Sequence, residues 1–212
     1  MKLASKVAVI VGLSSVSAIQ ARAQLFYLGV RGGAGIPTGG FGEAAPPSSD
    51  GALRGARAGL GYGLDAGVSL GPLLGLYAAT DRIDFDCLPQ SCASSGKYTL
   101  KGVSGGVRLG IPLPLLQLPK PWVKAGITYN EMTGTLAGAP AGTKITTSKR
   151  PGYELGGGVD LPVMSFFSIT PQVRYVRQKL KYQPPASSGS TGGTREVNYY
   201  TFDLGFRFRS PI

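Results

Sequence analysis

The stretch Tyr200-Thr201-Phe202-Asp203-Leu204-Gly205-Phe206-Arg207-Phe208 places a large apolar side chain at every second position and a small or charged one between. Side chains of a β-strand alternate between two faces, so this is a strand with one greasy and one polar face. Seven further segments carry the same period. The first, about 25 to 37, shows Phe26, Leu28, Val30 and Ala34 on one face. The second, about 57 to 70, alternates Ala58, Leu60, Tyr62, Leu64, Ala66, Val68 and Leu70 with glycines, Asp65 and Ser69. The third, about 73 to 86, changes phase from Leu74, Leu76 and Ala78 to Ile83 and Phe85, which predicts a β-bulge. The others are about 98 to 112, 121 to 134, 152 to 163 and 165 to 182.

The connections alternate in length. Residues 38–56, 87–97, 135–151 and 183–196 are long and rich in Gly, Ser, Pro and Thr. Gly71-Pro72, the Pro-rich 112–120 and Pro162-Val163-Met164 are short. Long loops therefore share one end and short turns the other, as in outer-membrane barrels. The chain is read as all-β, an eight-stranded antiparallel up-and-down transmembrane β-barrel.

The polar faces separate this reading from a soluble secreted barrel with an apolar interior. They carry Arg31, Arg108, Lys124, Arg174 and Arg207 against Asp65, Glu154, Asp160 and Asp203. These charges nearly cancel, as charges enclosed in a narrow lumen must. The 33 glycines, about twice the usual share, suit such a lumen. Gly156-Gly157-Gly158 therefore reads as strand rather than phosphate loop, since no helix follows it. On the greasy face, Tyr62, Tyr129, Tyr153, Tyr175 and Tyr200 fall toward the loop end. Phe26, Phe167, Phe206 and Phe208 fall toward the turn end. Two aromatic rims are the expected girdles at the membrane interfaces. Trp122 departs from this, its phase pointing inward at the turn end.

The first residues add a compartment. Lys2 and Lys6 precede the apolar run Val7 to Leu13, and Ala21-Arg22-Ala23 has the form of a cleavage site. Residues 1–23 are expected to be a signal peptide and 24–212 the barrel domain. No later segment has the roughly 18 unbroken apolar residues of a membrane helix. The formal net charge is +11, and the mature chain keeps 19 basic and 11 acidic residues, a net +8. Most of that excess lies on loops and rims, at Arg54, Arg57, Lys97, Lys101, Lys144, Lys149, Arg150, Arg177, Lys179, Lys181 and Arg195. Basic groups beside a bilayer attract anionic head groups, in an outer leaflet lipopolysaccharide phosphates; the plainer reading is generic rim charge. Cys87 and Cys92, in an external loop of an exported chain, are expected to form a disulfide. Asp81, Asp84 and Asp86 read as a solvated strand end. With no histidine, the commonest acid–base, nucleophile and metal chemistries are missing. No enzyme activity, cofactor, metal site or nucleic-acid partner is expected.

In its eight alternating segments, its loop asymmetry and the terminal alternation ending in Phe208, the chain resembles the small eight-stranded outer-membrane β-barrel proteins, including opacity-protein and outer-membrane-protein-A-like barrels. The resemblance covers residues 24–208. It implies a monomer in the bacterial outer membrane, with a role in envelope integrity, adhesion or surface contact through four loops. It also implies that the last aromatic helps the barrel-assembly machinery recognise the chain, although here Arg209-Ser210-Pro211-Ile212 follow Phe208. A narrow pore for small solutes is the alternative.

Overall fold

The computed structural model describes residues 25–44, 53–88, 96–112, 119–135, 144–182 and 192–210. The strands are β1 (Leu25–Thr38), β2 (Ala56–Ser69), β3 (Leu74–Cys87), β4 (Lys97–Gly110), β5 (Lys120–Thr135), β6 (Lys144–Ser148), β7 (Arg150–Met164), β8 (Phe167–Tyr182) and β9 (Gly193–Arg209). All pairings are antiparallel and join strands next to each other along the chain, except that β5 also pairs with β7 and β6 with β8, and β9 returns to pair with β1 from Tyr27↔Arg209 to Thr38↔Asn198. That last ladder closes the sheet, so every strand edge is hydrogen-bonded.

Nine strand segments make eight staves. β6 and β7 both pair with β5, at Thr133↔Thr146 and Asn130↔Arg150. Three steps along β5 match four along its partner, so one extra residue bulges out near Lys149 and joins the two segments into one stave. The 135–151 connection is thus shorter than the sequence suggested, because β6 and the start of β7 occupy much of it. The 183–196 connection likewise gives up Gly193 to Glu196 to β9. At the turn end Gly71 adopts φ +130°, a conformation that side chains rarely take, and the Leu70 N–H donates to the Leu74 carbonyl at 2.8 Å.

The third strand corrects the expected phase change. β3 and β4 keep one register from Leu74↔Leu109 to Asp86↔Lys97, with no bulge. The β2–β3 irregularity lies instead between Ala56 and Gly59. Along β3, Leu74 and Leu76 face outward, whereas Ile83 and Phe85 turn inward and are buried. The strand does not change phase; its surroundings do. Toward the turn end the outer face is greasy and the inner face polar. Toward the loop end the outer face carries Arg82 and Asp84 and the inner face is apolar. β8 repeats this, with Val173 and Tyr175 outward below and Arg177, Lys179 and Lys181 outward above, where Val176, Leu180 and Tyr182 are buried inside.

The barrel therefore has two inner layers. The apolar layer at the loop end packs Phe41, Phe85, Tyr98, Met132, Leu180 and Tyr199, among others. Phe41 arrives on a short 3-10 turn, Gly39–Phe41, and meets the Phe85 ring edge-on at 5.3 Å. Leu53 is held at φ 56° yet is only 2% exposed, so burial in this layer offsets a backbone conformation unfavourable for leucine. The polar interior read from the sequence is thus found only below this apolar layer.

Glycines let the walls approach. A Cβ on Gly126 would lie 2.2 Å from the Tyr77 hydroxyl oxygen and 2.5 Å from the Gly105 carbonyl oxygen. Gly126→Ala is expected to destabilise the barrel by roughly 1–3 kcal/mol, because the backbone contact cannot be relieved by a side-chain rotation. Urea titration of the folded form, read on unboiled gels, checks this.

Candidate functional site in the barrel lumen

Below the apolar layer lies a lattice of ion pairs. Arg174, on β8, is its hub. Its Nη1 donates to Asp81 at 3.0 Å and to Glu154 at 3.3 Å, and its Nε–H donates to Asp203 at 3.1 Å. Glu154 also pairs with Lys124 at 3.3 Å and accepts the Tyr77 hydroxyl at 2.5 Å. The Lys124 ammonium stands 4.6 Å from the centre of the Tyr77 ring. Arg31 joins Asp81 at 2.6 Å to Asp65 at 3.2 Å, and Arg207 joins Asp65 at 3.5 Å to Asp160 at 2.6 Å. Asp160 closes the lattice at the turn end. It accepts from Arg108 at 2.8 Å, Trp122 Nε1 at 3.1 Å, Thr170 at 3.3 Å, and Arg209.

All nine charged residues named from the sequence point inward and take part in this lattice. Two members were missed. The sequence reads Asp81 as part of a solvated strand end, whereas it lies between Arg31 and Arg174. Asp84 and Asp86 stand on the opposite face, Asp84 beside Arg82 and Asp86 3.9 Å from Lys97. The signal for Asp81 was present, since it shares parity with Tyr77 and Ala79; the assumed bulge hid it. Arg209, which the sequence reading only places after the last aromatic, continues the inward parity of Arg207 and reaches Asp160. Trp122 is inward and only 3% exposed, as its phase indicated.

On the outer wall the rings fall in two groups. Near the loop end Tyr175 and Tyr200 lie 4.9 Å apart, and Arg177 reaches the Tyr153 hydroxyl at 3.4 Å. Tyr62 and Tyr129 are exposed on the same face. Near the turn end Phe167 meets Phe206 at 6.0 Å and Phe208 at 5.1 Å, with Phe26 exposed on β1. Between the groups the outer wall is apolar, with Leu64 51%, Leu155 53% and Leu204 49% exposed. Beyond the tyrosines the wall is charged. There the Asn198 amide and the Arg177 guanidinium hold Glu196, and their hydrogen bonds lower its pKa below the ordinary carboxylate value. Cys87 ends β3 and is not a free thiol. Cys92 and residues 1–23 lie outside the described residues.

A closed sheet with charges inside and leucines outside is a transmembrane β-barrel, because only a bilayer accepts that outer surface. No protein-family model matches the chain, and no curated protein does. Solved structures do. Neisserial surface protein A matches over 86% of this chain and 96% of its own, at 15% identity and a TM-score of 0.58. The outer membrane protein OprG from Pseudomonas aeruginosa matches over 90% and 97%, at 14% identity and a TM-score of 0.56. The fold is that of the small eight-stranded outer-membrane barrels.

Proposed function

We propose that this chain is an integral protein of the bacterial outer membrane that works at the cell surface and holds its lumen closed at rest. The observation that supports this is the double inner layer, apolar side chains above a lattice of ion pairs. An open pore needs a continuous wet path, and neither layer offers one. The reading includes export with a cleaved signal peptide, girdles formed by the two aromatic groups, and long loops on the outer side. Heat-modifiability tests the first part: protein in isolated outer membranes should change mobility on detergent gels when boiled. Planar-bilayer recording tests the second, with no single-channel conductance expected. A steady conductance altered by changing Arg108 or Glu154 would sink the closed-lumen reading and favour a narrow pore.

The surface contact we favour is with lipopolysaccharide phosphate. Arg177, Lys179 and Lys181 follow Tyr175 at alternate positions on β8 and are exposed on the outer wall. Each cation near an anionic surface adds about 1 kcal/mol. Replacing Lys179 and Lys181 by Glu should therefore weaken lipopolysaccharide binding by roughly fivefold or more per position, measured as retention on the purified barrel. Unchanged retention would remove this face from consideration.

A further inference from the structure

The turn-end mouth of the lumen holds a cavity of about 190 Å3 that the closed-barrel reading does not use. Tyr27, Arg108, Lys120, Trp122, Asp160 and Arg209 line it, and Pro72, Leu73 and Leu74 of the first short turn supply an apolar wall. Cations outnumber anions here. Three guanidiniums, from Arg108, Arg207 and Arg209, converge on the single carboxylate of Asp160. That carboxylate also accepts from Trp122 and Thr170, so its oxygens are fully engaged. The arginines are not. A guanidinium carries five N–H donors, and Arg108 and Arg209 each give one to Asp160. Their side chains stay 14% and 19% exposed at the cavity wall.

The aromatic residues shape what fits. The Arg108 guanidinium carbon lies 4.3 Å from the Trp122 ring centre and 5.7 Å from that of Tyr27, close enough for both rings to attract the cation. The space is smaller than the roughly 300–1,000 Å3 of sites for drug-sized ligands. It suits an oxyanion on a short body. Fixed, partly desolvated guanidiniums bind carboxylates and phosphates through paired charge-assisted hydrogen bonds.

We propose that this mouth is a binding site for a small organic oxyanion, a carboxylate or phosphate ester carrying a short apolar group. In the proposed membrane orientation it opens to the periplasm, but binding by the purified barrel does not depend on that orientation. Failure of the test below would thus leave the surface reading standing.

Trp122 is the single tryptophan of the chain, so its emission reports on this site alone. The folded full-length barrel in detergent is titrated with phenylacetate, phenyl phosphate and the uncharged phenylacetamide. Phenylacetate or phenyl phosphate should give a saturable change in emission, and whichever binds more tightly identifies the preferred oxyanion. Phenylacetamide should bind at least roughly tenfold more weakly, as loss of a charge-assisted contact implies. Arg108→Gln and Arg209→Gln should each weaken binding by a similar factor. If Arg108→Gln does not fold, Arg209→Gln, on the partly exposed rim, still decides the matter. An amide that binds as well as the acids, no saturable response to either acid, or unchanged affinity in Arg209→Gln would overturn the proposal.

Discussion

Replacing Arg174 by Met should destabilise the folded barrel by roughly 3–5 kcal/mol, the cost of leaving a buried charge without its partner. The effect belongs at the upper end because three carboxylates, Asp81, Glu154 and Asp203, rely on this one guanidinium. Its side chain is only 3% exposed, so water cannot replace it. Lys124 and Arg31 would still hold Glu154 and Asp81, but nothing else among the salt bridges of the described residues reaches Asp203. Urea titration into and out of lipid vesicles measures the change. Arg177→Met is the control, since that guanidinium is exposed and should matter little. Adding Asp203→Asn to Arg174→Met should recover part of the loss, because it removes a stranded charge. A loss below about 1 kcal/mol would mean that the lumen is wet enough to screen its charges.

Leu204→Arg should cost roughly 2–4 kcal/mol in a bilayer, the price of a cation on the lipid face at mid-membrane. Leu204 is chosen because it lies midway between Tyr200 and Phe208, on the outward face of β9 and 49% exposed. The same change on a soluble protein would replace an exposed leucine by arginine and would cost almost nothing. This substitution therefore separates lipid from water outside the wall. Moving the arginine to Tyr200 should reduce the penalty toward about 0–1 kcal/mol, as expected at an interface. Equal and negligible effects at both positions would overturn the transmembrane assignment.

These two experiments address the two faces that alternation made visible. Reading every second residue of β9 was enough to place Phe202, Leu204 and Phe206 on one face and Asp203 and Arg207 on the other. The same parity on β8 and β7 placed Arg174, Glu154 and Asp160 together inside. The misreading of β3 had one cause. On β3 the greasy positions pass from Leu74 and Leu76 to Ile83 and Phe85, and a bulge was inferred to explain it. The strand in fact runs straight out of the apolar zone. Beyond the tyrosines the outer wall carries Arg82, Lys101, Arg177 and Lys179, and apolar side chains there go inside. Polarity inverts along a continuous strand because the medium outside changes. Asp81 sits just below that inversion and was misassigned with it.

The sequence by itself determined the strand count, the alternation of short and long connections, the inward charges and the outward leucines. Each is a local property, set by side chains two positions apart or by the composition of one loop. Only the tertiary structure decided which charges meet. Arg207 reaches Asp65 across 142 residues and Arg174 reaches Asp81 across 93, contacts that exist only once β9 has closed on β1. It also decided that an apolar layer packs inside the loop end, since Phe41, Phe85, Tyr98 and Tyr199 come from separate segments and converge only inside a closed wall. The cavity around Trp122 and Arg108 has the same origin. Neighbouring side chains on one strand point to opposite faces, so a lumenal site must be assembled from several strands.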